Sequence, residues 1–240
     1  MSDAQPRVSG VRNIPAAAGK ARSDAGARPV SLFLASSNSG KLREFAAAGA
    51  ARGIRVDPLP GFALLEICVE DGATFEENAR KKALHYSRNA PGCVFADDSG
   101  ISVDVLNGAP GIYSARYAGP DATDDRNNAR LLAEIHEREA PFRIRAAGAA
   151  KTREKFNRAA HYVCSIALAE AGQILTVVEG RADGMIVDEP RGSGGFGYDP
   201  YFYYPPLGKT FAEILPEEKF AVSHRGIAFR RLLDYLDARP

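Results

Sequence analysis

A short apolar run at residues 30–35 stops at Ser36-Ser37-Asn38-Ser39-Gly40-Lys41, and helical periodicity follows at once. Leu42, Phe45, Ala46 and Gly49 fall at i, i+3, i+4 and i+7, one face of a helix. Together with the later strand–helix units and a central hairpin, this strand–loop–helix unit makes the chain α/β or mixed, with two lobes possible. The loop also constrains chemistry. A helix N-terminus carries free N–H groups and partial positive charge, which attract phosphate. Asn38 and the serines add donors, and Lys41 adds a cation. The spacing departs from the P-loop, G-x-x-x-x-G-K-[ST]. Gly40-Lys41 match, but Ala35 replaces the first glycine and Leu42 stands where a hydroxyl would hold magnesium. By itself the loop fits either phosphate binding or a plainly capped surface helix.

The remaining pattern extends the same architecture. Thr74 and Glu77 form a capping box ahead of a helix with Phe75, Ala79, Ala83 and Tyr86 inward, ended by Pro91-Gly92. Residues 93–96 read as a second buried strand. Ile101, Val103 and Val105 alternate with Ser102 and Asp104 as a half-exposed one. Thr123 opens a third helix with Asp124 and Asp125 in its first turn. Residues 139–157 read as a mobile loop. Strands at 161–169 and 173–178 form a hairpin through Ala171-Gly172, with a further strand at 185–187. Residues 190–210 read as a structured loop, and Ser223 caps a last helix with Ala228, Leu232, Tyr235 and Leu236 inward.

Three further stretches suit chemistry. In FADDSGISVD, adjacent acids at a strand end fit Mg²⁺ binding or base catalysis, and equally a turn in which Asp and Ser bond their own backbone. Glu70 and Asp71 are further acids. In Gly192–Pro200 (GSGGFGYDP), glycines around Phe196 permit close approach of a flat ligand and leave the ring free to stack. A glycine-rich turn around a core aromatic is the plainer reading. Finally, Ser223 as N-cap places His224 and Arg225 in the first helical turn. Cations there oppose the helix dipole, so binding an anionic or carbonyl-bearing ligand explains them better than local stability does.

Composition narrows the class. With 45% hydrophobic residues in 240, the chain suffices for one sizeable domain or two small lobes. Lys+Arg 31 against Asp+Glu 30 argues against a general nucleic-acid coat. No apolar run approaches the roughly 20 residues of a membrane span. Three scattered cysteines, Cys68, Cys93 and Cys164, read as reduced thiols and favour a cytoplasmic setting. Residues 1–29 have no apolar periodicity and read as a flexible tail before a domain at 30–240.

Taken together, LASSNSGKLREF, FADDSGISVDVLNGAPGIYSARYAG, GSGGFGYDPYF and KFAVSHRGIAFRRLL make the chain resemble the inosine triphosphate pyrophosphatase (Ham1-like or RdgB-like) family from about Leu32 to Leu236. The resemblance implies an elongated α/β fold: a mixed central sheet with flanking helices and two lobes around a nucleotide cleft, assembled as a homodimer. It implies Mg²⁺-dependent hydrolysis of ITP, dITP and XTP to the monophosphate and pyrophosphate. Ser36, Ser37, Asn38, Ser39, Gly40 and Lys41 would bind the triphosphate; the family more often has Thr at the Ser36 position. Asp98 would be proton acceptor and metal ligand, with Ser99 on the substrate and Glu70 as a second metal-side acid. Phe196, Gly197, Tyr198, Asp199, Lys219, His224 and Arg225 would hold the nucleoside. The segments before residue 30 and near 143–157 are longer than usual for the family. Two other activities compete: a nucleotide-binding module without turnover, and a phosphatase releasing orthophosphate.

Overall fold

The computed structural model describes residues 31–148 and 157–238, with the backbone alone over 142–148. The expected tail at residues 1–29 lies outside the described residues. In chain order the elements are β1 (Ser31–Leu34), α1 (Ser39–Ala50), β2 (Arg55–Pro58), α2 (Phe75–Ser87), β3 (Val94–Val103), α3 (Asp124–Gly148), β4 (Ala159–Glu170), β5 (Gln173–Ile186), β6 (Phe202–Tyr204), β7 (Lys209–Thr210), α4 (Pro216–Val222) and α5 (His224–Asp237). The strands form one mixed sheet in the order β2-β1-β3-β4-β5-β6-β7. β1 pairs parallel with β2 and β3, and every later pairing is antiparallel. The helices flank this sheet, so the expected α/β class holds.

Side-chain alternation along β3 organises three cores. Val94 and Ala96 face α2 and pack with Ala79, Ala83 and Tyr86. Phe95 faces the opposite side, among Phe45 of α1 and Ala228, Phe229 and Leu232 of α5. There the Phe45 ring lies 5.1 Å from Phe95 and 4.9 Å from Phe229. Such aromatic contacts contribute about 0.5–1.5 kcal/mol beyond their area. Past Gly100 the strand enters a different lobe, where Ile101 and Val103 pack with Leu131, Ile135, Tyr162, Phe202 and Phe211. Asp97, Asp98 and Ser99 therefore occupy the waist between the two lobes.

That continuity corrects the expected strand end at Asp97-Asp98. β3 runs ten residues through both acids, and Asp97, Asp98 and Ser99 pair with Ile166, Ser165 and Cys164 of β4. Periodicity misses this because polar side chains interrupt the apolar pattern without interrupting the backbone ladder. Val105 belongs to the 3₁₀ turn Asp104–Leu106 and not to the strand. The hairpin turn is as expected, with Ala171 and Gly172 both at positive φ. Its second strand, however, runs fourteen residues and absorbs the separate strand expected at 185–187.

Other boundaries also move. The loop expected over 139–157 is helical to Gly148, past an internal Pro141; residues 149–156 lie outside the described residues. Strong helix formers such as Glu, Arg and Ala carry the helix through one missing amide. Residues 190–210 contain β6 and β7, and α4 precedes the Ser223 cap unforeseen. In the Thr74 capping box, the Glu77 amide donates to Thr74 Oγ1 at 3.1 Å. Glu77 Oε2, though, accepts from the Ala73 amide at 2.7 Å, one residue outside the usual box.

Gly180 fixes how α5 meets the sheet. A Cβ there would lie 2.1 Å from the His224 carbonyl oxygen and 2.4 Å from the Ala228 amide nitrogen. Both are backbone atoms of α5, which cannot give way cheaply. Overpacking costs about 1–3 kcal/mol, and a domain of this size loses about 2–4 °C per kcal/mol. Gly180→Ala is expected to lower Tm by about 4–10 °C in thermal unfolding. An unchanged Tm would show that α5 does not press on β5 so closely.

Candidate active site

β1 ends opposite Phe95, so the loop that follows it lies alongside Asp97. α1 begins inside the Ser36–Lys41 motif, at Ser39. Asn38 is its N-cap, with Oδ1 accepting from the Lys41 amide at 3.0 Å, and the Asn38 amide donates to Ser36 Oγ at 3.1 Å. This loop forms one wall of a cleft of about 680 Å³ at the waist of the sheet, a volume suited to a small ligand. Every residue singled out for a site lines the cleft except Ser39 and Gly40. Gly40 still borders the opposite wall: a Cβ there would lie 3.8 Å from the Phe196 ring. The Ser36–Lys41 loop and the expected stacking ring thus stand close together.

The same alternation separates the two adjacent acids. Asp97 points to the side of α1 and α5. Lys41 Nζ lies 2.7 Å from its Oδ2 and Arg225 Nε lies 3.9 Å away, while its Oδ1 is buried without a hydrogen-bond partner. Burial pushes this carboxyl up, but Lys41, Arg225 and Lys82 together outweigh burial and hold it below the usual carboxylate range. Asp98 points to the side of α2. Its Oδ2 accepts from Asn78 Nδ2 at 3.1 Å, and its Oδ1 faces Lys82 Nζ at 3.4 Å. Burial raises the Asp98 carboxyl, Lys82 and Asn78 only partly oppose this, and the group ends above its ordinary value. A raised carboxyl in a cleft is the profile of a proton acceptor.

Glu70 reaches the same place. Its carboxylate lies 2.7 Å from Lys82 Nζ, so Glu70 and Asp98 share one ammonium. Burial opposes the charge on Lys82, but Asp98, Asp97 and Glu70 hold the amine above its ordinary value and therefore protonated. Among the described residues no cluster of three or more His, Cys, Asp or Glu can hold a metal by itself. Two carboxylates flanking a cleft still fit Mg²⁺, which commonly takes one or two protein carboxylates and completes its shell with phosphate and water.

The second lobe supplies the facing wall. Phe196 is 37% exposed. Its loop is held by Asp199 Oδ2, which accepts from the Phe196 amide at 2.8 Å and from Lys219 Nζ at 2.6 Å. α3 adds two restraints on Gly197: Asp124 accepts from its amide at 2.7 Å, and Asn128 donates to its carbonyl at 2.9 Å. Tyr198 is buried, and its hydroxyl donates to the Ser114 carbonyl at 2.8 Å. Asp199 and Tyr198 thus hold the loop, while Phe196 presents its ring. Lys219 Nζ lies 4.9 Å and Arg225 Cζ 5.2 Å from that ring's centroid, within cation–π range.

Arg225 is buried, with Nη1 donating to Glu44 at 2.6 Å and Nη2 to Ser99 Oγ at 3.5 Å. Burial works against its charge, but Glu44 and Asp97 more than compensate. His224 stacks on Tyr162, with ring centroids 4.5 Å apart and planes 6° off parallel. Burial, then Arg225, Lys219 and Lys41, hold its imidazole well below the ordinary value, so it is neutral. Gly100 has a steric reason to follow Ser99: a Cβ there would meet Ser114 Oγ at 2.4 Å.

The Ham1 family model matches residues 32–235. The chain belongs to the Ham1 family. Its curated relatives include a dITP/XTP pyrophosphatase of Geobacillus kaustophilus, 46% identical over 201 residues, which are 84% of this chain and 91% of the relative. Another, from Syntrophobacter fumaroxidans, is 44% identical over 215 residues, 87% of this chain and 85% of the relative. Among solved structures, a HAM1 protein from Coxiella burnetii superposes with a TM-score of 0.74 at 37% identity, covering 88% of this chain and all of that one. The Ham1 protein of Staphylococcus aureus gives 0.70 at 35%, covering 86% and 98%. Within the Ham1 fold, sequence reasoning passed over Asn78, Lys82, Glu44 and Tyr162. Helical spacing held the signal for three of them: Lys82 follows Asn78 at i+4, and Glu44 follows Lys41 at i+3, each pair on one helix face. No comparable signal marked Tyr162.

Proposed function

We propose that the chain is a Mg²⁺-dependent nucleoside triphosphate pyrophosphohydrolase acting on dITP, ITP and XTP. One observation carries the reading. A partly buried carboxylate with a raised pKa, Asp98, shares one cleft with the Asn38-capped start of α1 on one wall and an exposed aromatic ring on the other. The names of the curated relatives support the substrate class. Asp98 and Glu70 would hold the metal, which would supply charge neutralisation for the phosphates. Asp98 orients the attacking water and takes its proton. Lys41 and the amides at the start of α1 hold the leaving pyrophosphate. Lys219 and Arg225 lie beside the Phe196 ring and can only donate hydrogen bonds to a purine held there. That favours a 6-oxo group over a 6-amino group. A cytoplasmic homodimer binding neither membrane nor nucleic acid belongs to the same reading. Three scattered cysteines with no CxxC spacing support the compartment.

Attack at the α-phosphorus fixes the products. Incubation of dITP with Mg²⁺ in ¹⁸O-water is expected to yield dIMP carrying the label, with unlabelled pyrophosphate. Mass spectrometry that finds dIDP and orthophosphate as the first products overturns the reading in favour of a phosphatase. Tight binding without turnover favours a silent nucleotide-binding module.

A further inference from the structure

Asn78 is 1% exposed and lies on the face of α2 that looks into the cleft. Both ends of its amide are engaged. Nδ2 donates to Asp98 Oδ2 at 3.1 Å, and Oδ1 accepts from the Gly72 amide at 2.8 Å. Gly72 stands two residues after Glu70, in the segment that carries this acid from β2 towards α2. The approach is close: a Cβ at Gly72 would lie 2.7 Å from Asn78 Oδ1 and 2.8 Å from Glu77 Cβ. One turn further along α2, Lys82 repeats the pattern. It meets Asp98 through the other carboxylate oxygen and the same segment through Glu70. Two residues at i and i+4 therefore bracket both oxygens of one carboxylate and tie them to the loop bearing the other.

We propose that Asn78 is a positioning residue for hydrolysis, setting Asp98 and the Glu70 loop in mutual register before substrate arrives. The inference rests on the hydrolase reading above. An amide suits the task because it offers a donor and an acceptor at opposite corners of a rigid plane. Asp98 needs a donor, and the Gly72 amide needs an acceptor. The amide also carries no charge. A second cation there, beside Lys82, would compete with the metal for Asp98, and an anion would repel it. Misplacing a reacting group by about 1 Å can cost roughly 100-fold in rate.

Two variants separate the two bonds. Asn78→Asp keeps an acceptor for the Gly72 amide but sets a second carboxylate against Asp98. Asn78→Ala removes both bonds. Measurements use the full chain: steady-state turnover of dITP with Mg²⁺, and amide hydrogen exchange of the free protein across residues 66–73. Asn78→Asp is expected to lose about 100-fold in kcat, with KM within about threefold and loop exchange like the wild type. Asn78→Ala is expected to lose a similar factor in kcat and to speed loop exchange at least tenfold. A general structural role would accelerate exchange in both variants and throughout α2. That result, or kcat for Asn78→Asp within threefold of an active wild type, overturns the role of Asn78. An inactive wild type overturns the hydrolase reading together with it.

Discussion

Asp98→Asn is expected to lower kcat for dITP by a factor of about 10²–10⁴, the usual worth of a positioned general base, while leaving Tm unchanged or slightly raised. The two effects share a cause. Burial makes the Asp98 charge costly, which is why its carboxyl titrates above the ordinary value. An amide of the same shape carries no charge to desolvate. Its oxygen can still accept from Asn78, and Glu70 remains to pair with Lys82. Groups placed for chemistry are commonly less favourable to stability than a neutral replacement. The checks are steady-state kinetics and thermal unfolding of the same preparation. A folded variant retaining more than about a tenth of wild-type kcat would exclude Asp98 as base and as essential metal ligand.

Arg225→Ala is expected to cut kcat/KM for dITP by roughly tenfold to several hundredfold, the range implied by leaving a buried acceptor without its donor. The loss for dATP should be much smaller. A guanidinium can only donate, so it bonds a 6-oxo group and opposes a 6-amino group. The substitution also strips Glu44 and Asp97 of a buried partner. Breaking a buried pair on one side costs about 3–5 kcal/mol, so kinetics are best measured well below the lowered Tm. The ratio of the two substrates decides the matter. Equal losses for dITP and dATP would mean that Arg225 supports Glu44 and Asp97 and does not read the base.

The legible parts of this molecule were those governed by local chemistry. The caps at Thr74 and Ser223, the turn at Ala171-Gly172 and the break between strand and helix at Ser36–Lys41 all rest on residues close in sequence, and the structure shows each of them. Illegible parts depended on partners far along the chain. Asp97 and Asp98 look like a turn until β4 is laid beside them, because a strand's backbone ladder tolerates polar side chains that no pattern of apolar residues reveals. Asp199 and Lys219 each look available for substrate. Only the folded chain shows that they bond one another. Lys82 and Asn78 were plain helix-surface residues until the strand carrying Asp98 came to rest against that face.

β3, β4 and β5 run from one lobe into the other over ten, twelve and fourteen residues. Pulling the two lobes apart would mean shearing those ladders in register, where many hydrogen bonds resist at once. The floor of the cleft is in this sense its stiffest part, while the rim, the segment between β2 and α2 on one side and the loop around Phe196 on the other, is tied down by side chains. A nucleotide arriving from solvent meets edges held by side chains and a base held by strands. Asp97, Asp98 and Ser99 are borne by a strand of that base, paired through its length with β4.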